Sequence, residues 1–283
     1  MTKSESKHIC IFSKHLHWLN YKDMAALAAE IGFSGIDLTV RNNGHVLPER
    51  VKNDLPEAVE AIRNAGLEVP MITTGILDPD DRLTRDILET AGALGINYYR
   101  TGWYKYEEGT PVKVQLDRAW QKMAGLQEIN KSCQIAAAYQ NHAGSSIGGS
   151  GWDLLHIIEG LDPQWTGVQF DIRHAMVEGP KTWPYVFELL VPYINTLDIK
   201  DYTWKANDQE AVVVNVPLGQ GQVDFDLYMA KLKQFNVHAD VSIHYEYPLG
   251  GAEHGTTELE ISKEKFVALV RADLNFLKAR LST

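Results

Sequence analysis

Short apolar segments alternate with amphipathic segments along the whole chain. The apolar segments predict eight strands spaced by roughly 30 residues, which is the length of a βαβ repeat. Because strict alternation implies parallel strands with right-handed crossovers, we expect one domain, residues 1–283, folded as a single (β/α)8 TIM barrel. The predicted strands are Ile9–Phe12, Gly35–Val40, Val69–Thr73, Ile96–Arg100, Ile135–Tyr139, Val168–Asp171, Ile194–Ile199 and Val241–Tyr245.

Capping residues mark where helices begin and end. Asn20 caps the first helix and Gly32 stops it. Asp54-Leu55-Pro56-Glu57, with its capping acid, early proline and glutamate, predicts the start of the second helix. Further helices are predicted over about 81–94, over about 115–131, up to 158, and over 263–281. A doubly wound open sheet is the alternative fold, but no G-x-G-x-x-G follows the first strand, so a dinucleotide site has no support.

The longest connection, from Asp201 to Val223, follows the seventh predicted strand. Within it, Ala211-Val212-Val213-Val214 predicts a small extra strand. A long connection at the active face of a barrel is a candidate lid.

Composition narrows the class of protein and of ligand. The net charge of −10 repels nucleic acid and anionic lipid, so a small neutral ligand is favoured and neither nucleic acid nor membrane is expected as a partner. Cys10 and Cys133 predict reduced thiols and no disulfide. Met1 to Lys7 lack an apolar leader core, and no apolar run has membrane-spanning length. We expect a soluble, cytoplasmic protein, and the pattern leaves open a removed leader and a homo-oligomer.

Four of the late strands end in polar residues, which parallel strands bring to one face of a barrel. The polar endings are Gln140-Asn141-His142, Asp171-Ile172-Arg173-His174, Asp198-Ile199-Lys200 and His244-Tyr245-Glu246. If their acids face the barrel axis, they repel one another in a low-dielectric pocket, and a divalent cation is the natural compensation. Alternatively, Gln140 and Asp198 pair with Lys200 and Arg173, and the cavity is neutral without an ion.

The order of these endings, followed by the glycine-rich segment Pro217 to Phe225, resembles the xylose-isomerase-like TIM barrels, a superfamily of sugar isomerases and epimerases. The resemblance implies a metal held by glutamate, aspartate, histidine and glutamate, with the two glutamates exchanging the substrate proton. Asp171 and Glu246 match this pattern. Gln140 stands in place of the first glutamate and Asp198 in place of the histidine. His174 matches a position that contacts substrate in the superfamily.

These departures change the expected chemistry. An amide coordinates a cation through its oxygen but cannot shuttle protons, so a mechanism with two glutamates does not carry over. The expected metal ligands are Gln140, Asp171, Asp198 and Glu246, and an all-oxygen set favours magnesium, manganese or calcium over zinc.

The predicted reaction is proton abstraction next to a sugar carbonyl. Glu246 takes the proton, a metal or Lys200 polarises the carbonyl, and His142, His174 or His244 is the partner acid. Such chemistry serves isomerisation, epimerisation, or cleavage of a keto-glycoside by a lyase or hydrolase. The residues predicted to bind substrate are His142, Arg173, His244, Trp103, His15, His17, His45 and Arg100.

Two other functions fit parts of the pattern. A carbohydrate-binding barrel without catalysis would explain Gln140 and Asp198, since a fold alone does not imply activity. An abasic-site endonuclease shares this barrel, but it needs extra histidine ligands and a basic groove, and the acidic balance argues against it.

Overall fold

Eight parallel strands close into a barrel in the computed structural model, which describes residues 8–206 and 211–281. Each strand pairs with its predecessor, and the last one closes the ring against the first. The predicted (β/α)8 TIM barrel is therefore confirmed. The barrel strands are β1 (Ile9–Phe12), β2 (Gly35–Val40), β3 (Glu68–Thr74), β4 (Tyr98–Arg100), β5 (Ala136–Gln140), β6 (Thr166–Asp171), β7 (Ile194–Ile199) and β10 (Asp240–Ile243).

The barrel strands are short apolar runs because parallel strands under a layer of helices are buried on both faces. The register of neighbouring strands determines where their polar residues lie along the barrel axis. Asp171 lies beside Asp198 across the β6–β7 pair, and Asp198 lies beside Ser242 across the β7–β10 pair. The strand-end acids are thus level with one another at the carboxyl end of the barrel.

The outer layer consists of helices whose ends follow the predicted capping signals. The side chain of Asn20 accepts a hydrogen bond from the Asp23 N–H at 3.0 Å, and Gly32 ends the first helix in the left-handed region at φ 109°. The described helices are α1 (Tyr21–Ile31), α2 (Val51–Asn64), α3 (Arg82–Ala93), α4 (Val112–Cys133), α5 (Gly151–Ile158), α6 (Ile172–Glu178), α7 (Trp183–Leu190), α8 (Phe225–Gln234) and α9 (Lys263–Leu281).

The start of the second helix differs from the prediction. α2 begins at Val51, after a 3-10 turn that opens with Pro48, so Asp54 and Pro56 lie inside the helix. Asp54 accepts two hydrogen bonds from the Arg50 guanidinium, at 2.6 and 2.8 Å, instead of capping the backbone. The earlier proline therefore starts the turn, and the later one is accommodated within the helix.

The long connection after β7 forms an antiparallel hairpin of β8 (Asp201–Ala206) and β9 (Ala211–Val216), so the predicted extra strand is confirmed. Residues 207–210 of this predicted lid, like Met1–Lys7, lie outside the described residues. Asp201 fixes the far end of the connection by accepting backbone N–H bonds from Gly219 and Gly221 at 3.0 and 2.9 Å. The hairpin also reaches the barrel mouth, where Asn215 Nδ2 donates to the Glu246 carbonyl at 3.4 Å.

Two smaller expectations concern thiols and membranes. Cys10 is buried, Cys133 is partly buried, and both are free thiols, as predicted. Among the helices of residues 8–206 and 211–281, none is apolar over a length that would cross a membrane.

Candidate active site

Four carboxylates lie within the carboxyl end of the barrel: Asp37 on β2, Asp171 on β6, Asp198 on β7, and Glu246 just after β10. The three aspartate side chains are completely buried, whereas that of Glu246 is 26% exposed. Of these four acids, Glu246 is therefore the one that a ligand in the mouth can contact directly.

Gln140 connects two of the buried acids through its amide nitrogen. Its Nε2 donates to Asp171 Oδ2 at 2.9 Å and also to Asp198 Oδ2, while its Oε1 accepts from Arg100 Nη1 at 2.9 Å. A guanidinium has no acceptor, so the amide oxygen must face Arg100 and the nitrogen must face the carboxylates. Gln140 thus stabilises two negative charges as a hydrogen-bond donor.

Lys200 supplies a positive charge between Asp171 and Glu246. Its Nζ lies 3.0 Å from Asp171 Oδ2 and 3.4 Å from Glu246 Oε1, and its side chain is 3% exposed. Burial lowers the pKa of Lys200, but the charges of Asp171 and Glu246 outweigh burial and raise it above the usual value. Burial likewise raises the pKa of Glu246, but Lys200 and His244 bring it well below the usual value. Both groups are therefore ionised at neutral pH.

Asp37, Asp198 and His244 form a second cluster of buried side chains. His244 Nε2 lies 3.2 Å from Asp198 Oδ1 and 3.9 Å from Asp37 Oδ2. Burial lowers the pKa of His244, but Asp198 above all, with Asp37 and Glu246, raises it to about 10. Thr73 and Ser242 donate hydroxyl hydrogen bonds to Asp37, at 2.9 and 2.8 Å. The cluster is thus held from several strands at once.

These side chains also fit a metal ion. Asp37, Asp198 and His244 each offer one ligand atom within 4.8 Å of the others. The buried His244 Nε2 makes no well-aligned hydrogen bond, and the buried Oε1 of the neighbouring Gln169 has no partner either. A cation would take the place of the proton on His244 Nε2 and would also satisfy the unpaired oxygen of Gln169. The cluster therefore suggests a divalent metal, of which Asp198 is the one ligand shared with the predicted set.

Aromatic and basic groups lie beside these acids, and His174 Nε2 is 3.6 Å from Asp171 Oδ2. The rings of His142 and His174 lie 4.0 Å apart, Trp103 lies 4.6 Å from His142, and Arg100 Cζ lies 4.4 Å from the Trp103 ring. Arg173 Nη1 lies 2.9 Å from His174 Nδ1. Burial, reinforced by the charge of Lys200, lowers the pKa of His142 to about 4 and that of His174 well below its usual value. Both imidazoles are neutral at pH 7.

The three early histidines predicted to bind substrate are tied to the backbone instead. His15 is fully buried, with Nδ1 3.0 Å from the Ala252 carbonyl and Nε2 accepting from the Tyr245 N–H at 3.0 Å. His17 Nδ1 contacts the Gly255 carbonyl at 3.1 Å, and His45 Nε2 contacts the Leu16 carbonyl at 3.2 Å. His15 has no ring nitrogen left for a sugar hydroxyl, because both hold neighbouring loops together.

The sequence reasoning missed Asp37 and Gln169. Gln169 stands two residues before Asp171 and therefore on the same face of β6, where its Nε2 donates to Asp198 Oδ1 at 2.8 Å. Asp37 interrupts the apolar run of β2. For Asp37 and for Gln169, the signal in the sequence was a polar residue inside a largely apolar strand.

The closed barrel and its polar strand ends define a TIM barrel of the enzyme type, with the site at the carboxyl face. The chain belongs to the family described as the xylose isomerase-like TIM barrel, whose sequence model matches residues 25–278.

Several solved structures share this fold at low sequence identity. A 3-keto-D-glucoside 4-epimerase from E. coli superposes with a TM-score of 0.70 at 14% identity, over 97% of this chain and 100% of that one. A D-allulose 3-epimerase from Methylomonas sp. gives 0.71 at 16% identity, over 99% and 100% of the two chains. The probable 3-DHS dehydratase from Bacillus anthracis gives 0.69 at 14% identity, over 96% and 99%. No curated protein matches the sequence.

Proposed function

We propose that the protein is a sugar isomerase- or epimerase-like enzyme that removes a proton from the carbon next to a sugar carbonyl. The observation that carries this proposal is Glu246, an ionised carboxylate that is exposed in the mouth and lies 3.4 Å from the buried Lys200 ammonium. The similar structures that are sugar epimerases support it. A small sugar or sugar derivative is the proposed ligand, and the cytoplasm is the proposed location.

In the proposed reaction, the substrate C–H bond breaks and its proton passes to Glu246. The electron pair of that bond forms a double bond to the carbonyl carbon, and the carbonyl π electrons move onto its oxygen. The resulting enediolate is stabilised by the Lys200 ammonium. Because its pKa is low, Glu246 is a weak base, so the reaction depends on a positive charge that acidifies the carbon. Delivery of a different proton to the opposite face by His142, His174 or His244, with loss of the Glu246 proton to solvent, gives an epimer. Return of the Glu246 proton to the neighbouring carbon, with transfer of the hydroxyl proton between the two oxygens, gives an isomer.

Asp37, Asp198 and His244 would hold the metal in this scheme. When bound, such an ion supplies Lewis acidity for sugar oxygens beside Lys200. The imidazole in this set admits manganese or zinc as well as magnesium, whereas Gln140, Asp171, Asp198 and Glu246 would favour magnesium, manganese or calcium. Metal affinities of variants in the two sets discriminate between them.

His142 and His174, whose rings lie 4.0 Å apart, are proposed to contact the substrate. Both are neutral, so each can accept a proton or share one in a hydrogen bond with a sugar hydroxyl. His174 is buried and held by Arg173, which favours orienting the substrate, whereas His142 is partly exposed and lies at the Trp103 face. Arg100, Arg173, Trp103 and His244 complete the proposed substrate surface.

The test is exchange of a carbon-bound proton with solvent. Ketoses and oxidised glycosides are incubated with the protein in deuterated water, and deuterium uptake is followed by NMR. We expect uptake by at least one sugar, and Glu246→Gln should lower the rate about 100-fold or more. Glu258→Gln, which changes an exposed glutamate beyond the mouth, is the matched control and should leave the rate unchanged. Full uptake with Glu246→Gln would contradict the assignment of the base.

A second candidate reaction is cleavage of a keto-glycoside by a lyase or hydrolase. The same enediolate would expel a group β to the ketone, and the similar structures include both a 3-keto-D-glucoside epimerase and a dehydratase. Release of the aglycone in the same experiment identifies this reaction. A sugar that binds without any exchange would instead indicate a carbohydrate-binding barrel without catalysis.

A further inference from the structure

Two cations at the mouth, Lys14 and Arg41, are not used by the chemistry described above. Lys14 lies on the 3-10 turn that follows β1, and Arg41 follows directly after β2. Lys14 Nζ and Arg41 Cζ lie 5.7 and 5.6 Å from the centre of the same ring, that of Phe12. Phe12 stacks on His244 at 4.3 Å. Both cations are therefore beside the candidate active site.

We propose that Lys14 and Arg41 form a subsite for a negatively charged group of the substrate, a carboxylate or a phosphate. The inference rests on the proposed function, because it names the class of sugar derivative that the site takes. It makes the substrate a sugar acid or a sugar phosphate rather than a neutral sugar, contrary to what the overall charge of the chain suggests.

Neither cation has an acid to itself, because Lys14 shares Glu246 with Lys200, and Asp37, whose charge acts on Arg41, also lies beside His244. The nearest acid to Lys14 is Glu246, whose Oε1 lies 4.0 Å from Nζ and is already shared with Lys200. Within residues 8–206 and 211–281, no hydrogen bond or ion pair joins the Arg41 guanidinium to a carboxylate. Both side chains are only partly exposed, so water compensates their charges incompletely.

The other arginines of the mouth are also left with neutral partners. Arg100 donates to the Gln140 amide, and its buried Nε has no partner. Arg173 bonds to Asn215 and contacts His174. The described mouth therefore holds more cations than acids. The cations are Lys14, Arg41, Arg100, Arg173 and Lys200, and the acids are Asp37, Asp171, Asp198 and Glu246.

This local excess has the opposite sign to the net charge of −10 for the whole chain. Burial lowers the pKa of Lys14 to about 8; the charge of Glu246 raises it in part, and those of Lys200, Arg41 and Arg100 lower it further. Lys14 is therefore mostly protonated at neutral pH. A bound oxyanion would relieve the mutual repulsion of these groups. Because they line a barrel mouth instead of a flat surface, they suit a small anion better than the backbone of a nucleic acid.

The test compares neutral and anionic probes of otherwise similar shape by calorimetry at low ionic strength. D-Fructose is paired with D-fructose 6-phosphate, and D-glucose with D-glucuronate, so the two arms separate phosphate from carboxylate. We expect at least one anionic probe to bind about 10- to 100-fold more tightly than its neutral partner. Sodium chloride at high concentration should reduce this preference through screening.

Lys14→Met and Arg41→Met should each reduce the preference about 10-fold without weakening the binding of the neutral probes. Lys22→Met, which removes an exposed cation on α1, is the matched control and should keep the preference intact. Equal binding of neutral and anionic probes by the wild type would overturn the proposal. So would an anion preference that survives both substitutions.

Circular dichroism and thermal melting check that each variant is folded. If Arg41→Met fails to fold, Arg41→Lys and Lys14→Gln are measured instead: the first should keep most of the preference and the second should lose it. Proton exchange separates this inference from the proposed function. Exchange with neutral ketoses and no anion preference would overturn the inference alone, whereas an anion preference with no exchange of any sugar would overturn the function alone.

Discussion

Lys200 and Asp171 form a buried ion pair at the centre of the barrel mouth, with Nζ 3.0 Å from Oδ2. Lys200→Met would leave Asp171 as an uncompensated buried charge and remove the cation from beside Glu246. We expect a loss of about 3–5 kcal/mol in the free energy of unfolding, measured by urea denaturation. Lys205→Met, on the exposed end of the hairpin, should change stability by less than about 0.5 kcal/mol. A fully stable Lys200→Met protein would show that the ion pair contributes little to stability.

Metal binding distinguishes the cluster of Asp37, Asp198 and His244 from the predicted ligand set. Manganese affinity, followed by electron paramagnetic resonance, should fall at least about 10-fold in Asp37→Asn if Asp37, Asp198 and His244 hold the ion. Glu246→Gln should then have a much smaller effect. The reverse ranking would favour the set of Gln140, Asp171, Asp198 and Glu246, and the absence of any manganese signal in the wild type would contradict both.

Gln140→Glu tests the role of the amide as a donor. The substitution replaces a bridge between Asp171 and Asp198 with a further carboxylate, so the protein should lose about 1–3 kcal/mol of stability in the presence of a chelator. Manganese should raise the melting temperature of this variant more than that of the wild type, since a cation offsets the added charge. Gln164→Glu, at an exposed position, is the control. Equal shifts in the two variants would contradict the expected coupling.

Asp273 should make stability depend on pH. Burial raises its pKa to about 7, above the value of about 3.9 in an unfolded chain. The folded protein therefore holds this proton more tightly, and the resulting contribution to stability is lost as pH rises from about 4 to 7, by at most about 4 kcal/mol. Asp273→Asn keeps the acceptor for the Leu218 N–H and cannot ionise.

The free energy of unfolding of Asp273→Asn should therefore exceed that of the wild type by an amount that grows between pH 4 and pH 8. Urea denaturation at several pH values measures this difference. Asp226→Asn, which changes an exposed acid, should give no comparable trend. A difference that is constant with pH would show that the Asp273 pKa is not raised in the folded protein.

The strands could be predicted from sequence because each is an apolar run between clear turn signals, and β1, β2 and β7 have the predicted bounds. The polar ends of β5, β6 and β7 meet as expected, since parallel strands present their carboxyl ends to one face. These features depend only on local pattern and on the geometry of alternating strands and helices.

Contacts across the barrel could not be predicted in the same way. Asp37 and Ser242 are joined by a hydrogen bond although 205 positions separate them in the chain. The orientation of the Gln140 amide depends on Arg100, which comes from a different strand. Pro48 and Pro56 are both compatible with the start of α2, and local capping rules do not decide between them.

Asp171 has two tasks that involve different oxygen atoms. Oδ1 accepts the His174 N–H at 3.0 Å and so caps α6, while Oδ2 holds Lys200 and Gln140. The first turn of α6 and the charge balance of the barrel interior consequently depend on the same side chain. A displacement of Asp171 would therefore disturb both the backbone that carries Arg173 and His174 and the contacts of Lys200 and Gln140.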